Sequence, residues 1–91
     1  METPTQPPLI ARLCSISSDW AEANDVKVSR LGRVVINDGA AIQRLEEGGD
    51  LGTVNLGRFA KFLSDPKNWP GGRVPKSAKV FDRDVRREVS A

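Results

Sequence analysis

The residues of this chain that could act on another molecule are mostly cations, and their spacing suits contact with phosphate. Between residues 67 and 79 there are four basic residues and no acidic one, namely Lys67, Arg73, Lys76 and Lys79. Residues 58–91 hold nine basic and four acidic residues, whereas residues 1–57 hold five and eight. A basic C-terminal third can neutralise the phosphates of a nucleic-acid duplex. A solvated lysine and arginine surface explains the same charge equally well.

Other chemistry has little support in the sequence. The chain contains no His, no Tyr and a single cysteine, Cys14. Asp38, Glu46 and Glu47 are the nearest approach to a carboxylate cluster, and without a His or a metal-ligand spacing they do not predict catalysis. We therefore expect no enzyme, no cofactor and no metal site. Cys14 lies near Leu13 and Ile16, which predicts a buried structural thiol.

Length and composition predict one small domain. Ninety-one residues, 38% of them hydrophobic, are enough for a single core with tails. No apolar run approaches the roughly 18 residues that a membrane span needs, so we expect no membrane contact. Residues 1–8 contain three prolines and no signal-peptide pattern, which predicts a disordered lead-in and no secretion signal. The lone cysteine fits a reducing compartment, and we expect a cytoplasmic protein.

Apolar spacing predicts an all-α fold, a small bundle of four to five helices. Spacings of three and four from Leu9 to Trp20 indicate a first helix over Pro8 to Ala23. Later in the chain, Thr53 is a suitable N-cap for a helix that ends at Ser64-Asp65-Pro66. Its buried face should comprise Val54, Leu56, Phe59, Phe62 and Leu63. Gly57 inside that helix suggests close approach of another helix.

Two shorter helices lie between these. The first should run from Arg30 to Ile36 with Ser29 as its N-cap. Asn37-Asp38-Gly39 then forms a turn, because Asn and Gly tolerate left-handed backbone angles and Asp can cap the helix after it. That second helix should run from Ala40 to Glu47 and end at Gly48-Gly49.

The C-terminal region combines helix breakers with a final amphipathic segment. Residues 67–76 should lack regular structure and form a flexible basic arm that follows phosphates or enters a minor groove. Trp69 is expected to cover the edge of the core, with stacking on a base as the alternative. A last helix from Ser77 to Val89 carries Phe81, Val85 and Val89 on one face. That face should dock either on its own chain or on a second copy.

Residues Ser29-Arg30-Leu31-Gly32-Arg33 through Ile42-Gln43-Arg44-Leu45-Glu46-Glu47-Gly48 resemble the Cro/λ-repressor-like, or XRE-type, helix-turn-helix class of small bacterial and phage regulators. The resemblance covers about half of the chain, from Val28 to Leu63. It implies a helix-turn-helix domain over residues 9–65, followed by a basic arm and helix over residues 66–91. It also implies that the Ala40–Glu47 helix enters the major groove while the preceding helix crosses the DNA backbone.

The resemblance places the contacts to bases on Ala40, Gln43, Arg44 and Glu47. Alanine permits close approach, Gln pairs with adenine and Arg with guanine. For Arg44 the alternative is an ion pair with Glu46 or Glu47, and Gln43 could simply be a surface residue. Contacts to the DNA backbone are expected from residues before, within and after the first short helix, and from the basic arm: Lys27, Ser29, Arg30, Arg33, Asn37, Arg73 and Lys76.

The sequence leaves two main functions open, and non-specific nucleic-acid binding is the remaining alternative. The first is a sequence-specific regulator that binds double-stranded DNA as a homodimer through the C-terminal helix, because a single copy contacts only a few base pairs. The second is a protein-binding adaptor or antitoxin-like module whose basic tail holds an acidic protein.

Overall fold

The computed structural model describes residues 8–90, with side chains through residue 88, and this part of the chain contains helices and no strand. Five α-helices follow one another: α1 (Pro8–Ala23), α2 (Ser29–Ile36), α3 (Ala41–Glu46), α4 (Thr53–Ser64) and α5 (Lys76–Ser90). Two short 3-10 turns, Pro66–Asn68 and Pro70–Gly72, connect α4 to α5. The predicted all-α bundle is confirmed. Of the predicted disordered lead-in, residues 1–8, Pro8 instead begins α1, and the other seven lie outside the described residues.

Helices α2 and α3 end at the turn residues that the sequence predicted, within one residue of the predicted positions. Asn37 takes a left-handed conformation (φ 57°) and ends α2. After α3, Gly48 is left-handed (φ 98°), its N–H bonds the carbonyl of Leu45, and the Gly49 N–H bonds that of Arg44. This is the Schellman arrangement, in which two successive N–H groups satisfy the last helical carbonyls. Gly48-Gly49 therefore ends α3 as predicted.

Two predicted N-caps are wrong. Ser29 is the first residue of α2, preceded by Val28, and Thr53 is the first residue of α4, preceded by Gly52; neither helix has a side-chain cap. For α2 the reason is local, because the N–H groups of Arg30 and of the next residue already bond carbonyls upstream of the helix. The turn before α2 thus satisfies the N–H groups that a serine hydroxyl was expected to cap.

One core forms between all five helices. Its largest fully buried side chains come from all five helices: Leu13, Leu31, Ile42, Leu45, Phe59, Leu63, Phe81 and Val85. Within α4 the predicted buried face holds at Leu56, Phe59 and Leu63. Phe62 is only half-buried, and Val54, which lies in the first turn, is 70% exposed. Gly57 has open space around it, so the predicted close approach at that position is wrong.

The segment between α4 and α5 is fixed to the core. Trp69 is buried and its indole Nε1–H donates to the carbonyl of Leu63 at 2.8 Å. Asn68 donates to the carbonyl of Phe62, and its own carbonyl accepts the indole N–H of Trp20, both at 2.8 Å. Trp69 covers the core edge as predicted, which leaves no free ring face for a base. The prediction that residues 67–76 lack regular structure is wrong for the two 3-10 turns and for Lys76, which begins α5, and it holds for residues 73–75.

Helix α5 docks on its own chain. Its apolar face packs against α4 and α1, and Ala78, Phe81 and Val85 are buried there. Arg12 of α1 pairs with Asp84 of α5 at 2.9 Å, and its guanidinium lies 5.7 Å from the centre of the Phe81 ring. The face predicted as a dimer contact is therefore occupied within the monomer at Phe81 and Val85, while the side chain of Val89 lies outside the described residues.

Candidate nucleic-acid interface

Helices α2 and α3 meet where the intervening turn folds back on α2. Gly32 is buried in α2, and a Cβ at this position would overlap the carbonyl oxygen of Asp38 and lie 3.3 Å from the Cβ of Ala41. The N–H of Asp38 also bonds the carbonyl of Gly32 at 3.1 Å. Only glycine allows this approach, so Gly32 sets how the two helices pack. The sequence pattern pointed to the turn glycine, Gly39, and gave no sign of the role of Gly32.

Helix α3 buries one side and exposes the residues assigned to base contact. Ala41, Ile42 and Leu45 are buried and fix the helix to the core. The four residues assigned to base contact, Ala40, Gln43, Arg44 and Glu47, are all exposed. The helix is one residue shorter at each end than predicted, so Ala40 and Glu47 flank it. The exposed face thus presents a small residue and two hydrogen-bonding side chains near its N-terminal end.

Two of these side chains are engaged by neighbouring carboxylates. Arg44 forms an ion pair with Asp38 in the turn rather than with Glu46 or Glu47 on its own helix. Gln43 donates to the carboxylate of Glu47 at 3.2 Å. Both pairs are exposed, and exposed pairs of this kind are weak because water and salt compete with them. A ligand that offers a better acceptor can replace either carboxylate.

Asp38 organises the start of α3. Its Oδ1 accepts the backbone N–H of Ala40 at 3.0 Å. Ala40 lies before the first residue of α3 and the helix has no side-chain cap, so the predicted capping by Asp38 is wrong. The hydrogen bond from Arg44, together with that from Ala40, lowers the pKa of Asp38 below its ordinary value of 3.8. The carboxylate is therefore ionised at neutral pH and holds Arg44 beside the helix N-terminus.

The two ends of α3 lie among side chains of opposite charge. The C-terminal end of α3 and the loop after it carry three exposed carboxylates, on Glu46, Glu47 and Asp50. The N-terminal end adjoins the cations of α2, because the guanidinium of Arg33 lies against Gly39, where a Cβ would be 3.3 Å from Nη2. The N-terminal end of α3 is therefore better suited than the C-terminal end to approach a polyanion.

The start of α2 carries three exposed cations with an open groove between them. Lys27, Arg30 and Arg33 line a groove of about 500 Å³ together with Val26, Ser29 and Val34. None of the three cations has an ion-pair partner among residues 8–88. Asn37, also assigned to the DNA backbone, is exposed, and its backbone forms the turn. The residues in and beside α2 that the sequence assigned to contacts with the DNA backbone are thus brought together next to α3.

Arg73 and Lys76, the two cations assigned to the DNA backbone after α4, do not line the groove of the α2 cations. Arg73 is exposed beyond the second 3-10 turn. Lys76 begins α5 and lines a groove of about 370 Å³ with Arg12, Ser15, Ile16, Ser77 and Val80. This groove lies between α1 and α5, so the structure does not place Lys76 with the cations of α2.

Two cations of α4 join the α2 surface and were not assigned from the sequence. Arg58 and Lys61 are exposed and line a second groove, of about 290 Å³, together with Val34 and Phe62. Val34 lines both grooves and is itself 53% exposed. The i, i+3 spacing of the two cations was a visible signal, but only the packing of α4 on α2 shows that they border this surface.

No metal or nucleophile site accompanies this surface. Among the described residues no group of three or more Cys, Asp or Glu side chains could hold a metal ion. Cys14 is half-buried, and burial, together with the charge of Glu46, raises the pKa of its thiol. A raised pKa disfavours the reactive thiolate, in agreement with a structural role. No described helix is long and apolar enough to cross a membrane.

Comparisons with protein-family models, with curated proteins and with solved structures find no match to this chain.

Proposed function

We propose that this protein is a sequence-specific regulator that binds double-stranded DNA through the α2–α3 surface. One observation carries the proposal: Lys27, Arg30 and Arg33 stand exposed without ion-pair partners in the described chain, directly beside the exposed N-terminal end of α3. In helix-turn-helix proteins the N-terminal residues of the second helix contact base edges while the preceding helix lies against the backbone. The arrangement of cations and α3 supports that division of roles.

The roles of individual residues follow from their chemistry. Ala40 lets the protein backbone approach the major groove of the DNA. Arg44 leaves Asp38 and binds the edge of a guanine, and Gln43 leaves Glu47 and binds the edge of an adenine. Lys27, Arg30 and Arg33 neutralise phosphates and give affinity that is independent of sequence. Glu46 lies at the far end of α3, and Glu47, once released by Gln43, keeps the base contact that the resemblance assigns to it.

Two copies on two half-sites complete the proposal, because a domain of this size contacts too few base pairs to discriminate one site within a genome. The regulator then acts in the bacterial cytoplasm, where the DNA is. The contact between copies, if formed on the DNA, uses a surface other than the buried Phe81 and Val85 face.

The test begins with selection of bound sequences from a random duplex library. Arg44→Ala should relax the preference at one position and cost about 1–3 kcal/mol on the preferred sequence, because one bidentate base contact is lost. Arg30→Ala with Arg33→Ala should weaken all sequences alike and reduce the salt slope by about 2. Arg87→Ala on α5 is the control, and it should leave the preference unchanged.

Failure of the wild-type protein to shift any duplex at low salt would contradict the proposal. Co-purification with an acidic protein in its place would favour the adaptor or antitoxin-like function.

A further inference from the structure

The cations at α2 and those of α4 line two grooves that meet at Val34. The groove beside Arg30 and Arg33 and the groove beside Arg58 and Lys61 share Val34 as a common wall. From the turn at Gly39, which Arg33 touches, the basic surface runs over α2 and reaches α4. We call the five cations of this surface the α2–α4 basic surface: Lys27, Arg30, Arg33, Arg58 and Lys61.

These charges are not neutralised within the part of the chain that the structure describes. None of the five takes part in an ion pair with residues 8–88. One carboxylate, that of Asp65, borders the second groove, and it accepts the backbone N–H of Lys67 at 3.0 Å. On α5, by contrast, Arg83 and Arg86 each pair with a neighbouring aspartate. The α2–α4 basic surface is therefore available to an external polyanion.

We propose that Arg58 and Lys61 form a second phosphate-contact site, which continues along the DNA backbone from the phosphates held by α2. This inference rests on the proposed function and adds to it a contact residue pair that lies outside the two helix-turn-helix helices. A duplex suits the surface because its phosphates are regularly spaced along one line. Arg33 lies beside the turn before α3, and the grooves of the α2 and α4 cations meet at Val34, so the surface extends from this turn to α4.

The contact predicts a measurable salt dependence. Each phosphate neutralised on a duplex contributes about 0.9 to the slope of log affinity against log salt. Arg58→Gln with Lys61→Gln should therefore lower the slope by about 2 and leave sequence preference intact. Between about 50 and 200 mM salt, the wild type should lose about ten-fold more affinity than this variant.

The matched control is Lys79→Gln with Arg87→Gln on α5. Both residues are exposed and lack ion pairs within the described chain, so the control removes the same net charge from a helix that does not line the α2–α4 basic surface. Far-UV circular dichroism should show all proteins equally helical. Binding is measured on a mixed-sequence duplex of about 20 base pairs, two helical turns.

The outcomes separate the two proposals. A slope reduced in the α4 variant and unchanged in the α5 control supports the second phosphate site. Equal slopes in both variants overturn it, since net charge would then explain the effect. If Arg30→Gln with Arg33→Gln reduces the slope but the α4 variant does not, only this inference fails. If the wild type binds no duplex and instead binds an acidic polypeptide such as polyglutamate, both proposals fail.

Discussion

Adding a side chain at Gly32 would have two opposing effects on the stability of the protein. In a helix, alanine is favoured over glycine by about 1 kcal/mol because glycine loses more backbone freedom on folding. At this position, however, the turn carbonyl of Asp38 and the side chain of Ala41 occupy the space that a Cβ would need. The steric clash outweighs the gain in helix propensity, because the nearest atom belongs to the backbone and cannot rotate away.

We expect Gly32→Ala to lower the free energy of unfolding by about 1–3 kcal/mol, the usual cost of overpacking. Urea denaturation followed by circular dichroism measures the change. Gly57→Ala is the matched control, because that glycine is also helical but has open space around it. The control should raise stability by up to about 1 kcal/mol. Stabilisation by both substitutions would show that α2 and α3 do not approach so closely.

At the scale of helices, α1 and α5 are tied together by a charged pair at their surface. The hydrogen bond from Arg12 lowers the pKa of Asp84 below its ordinary value of 3.8, with Arg83 contributing as well. A lowered pKa means that the folded state prefers the ionised carboxylate. The stabilisation is therefore present at neutral pH, above 3.8, and is lost as pH falls through the pKa of the folded state.

Asp84→Asn should consequently lower the urea midpoint at pH 7, and its difference from the wild type should shrink as pH falls below about 4. A series of urea titrations from neutral to acid pH provides the measurement. Asp19→Asn, on the exposed side of α1, is the control and should leave the midpoint nearly unchanged at every pH. A difference that persists undiminished in acid would rule out the ion pair as its origin.

Three side chains hold the segment that connects α4 to α5. Prolines and glycines in residues 66–75 exclude a long helix, yet the backbone there is held by Trp69, Asn68 and Trp20. Each hydrogen bond joins a side chain to a backbone carbonyl outside its own turn. Such bonds convert a chain of helix breakers into a rigid connection, which then directs α5 back onto α4.

On the scale of the whole molecule, α5 belongs to the core. Val85 is 1% exposed and packs with Phe81 against the remaining helices. A helix with so narrow an apolar face is stable only when that face is covered. Since its own chain covers it, the folded monomer requires α5.

Val85→Asp should therefore abolish cooperative folding, because a carboxylate would be buried without a partner. Circular dichroism and sedimentation velocity on the same sample provide the test. Lys79→Asp, exposed on the same helix, should remain folded. A Val85→Asp protein that stays helical and sediments as a smaller species than the wild type would instead indicate a dimer contact at this face.

Most of the helices and their ends could be predicted from residue order. Apolar spacing sets α1 and α4, while Asn37 and Gly48 adopt the left-handed angles that end α2 and α3. These features depend on neighbours within one or two turns, so local physics suffices.

Contacts between distant segments required the folded chain. Packing shows that Gly32 rather than Gly57 is the close contact, that Arg44 pairs with Asp38, and that α5 closes its own core. It also brings Arg58 into a groove with Val34 of α2, which in turn borders the groove of the α2 cations. Each of these depends on which faces of distant segments meet, and residue spacing along the chain does not encode that choice.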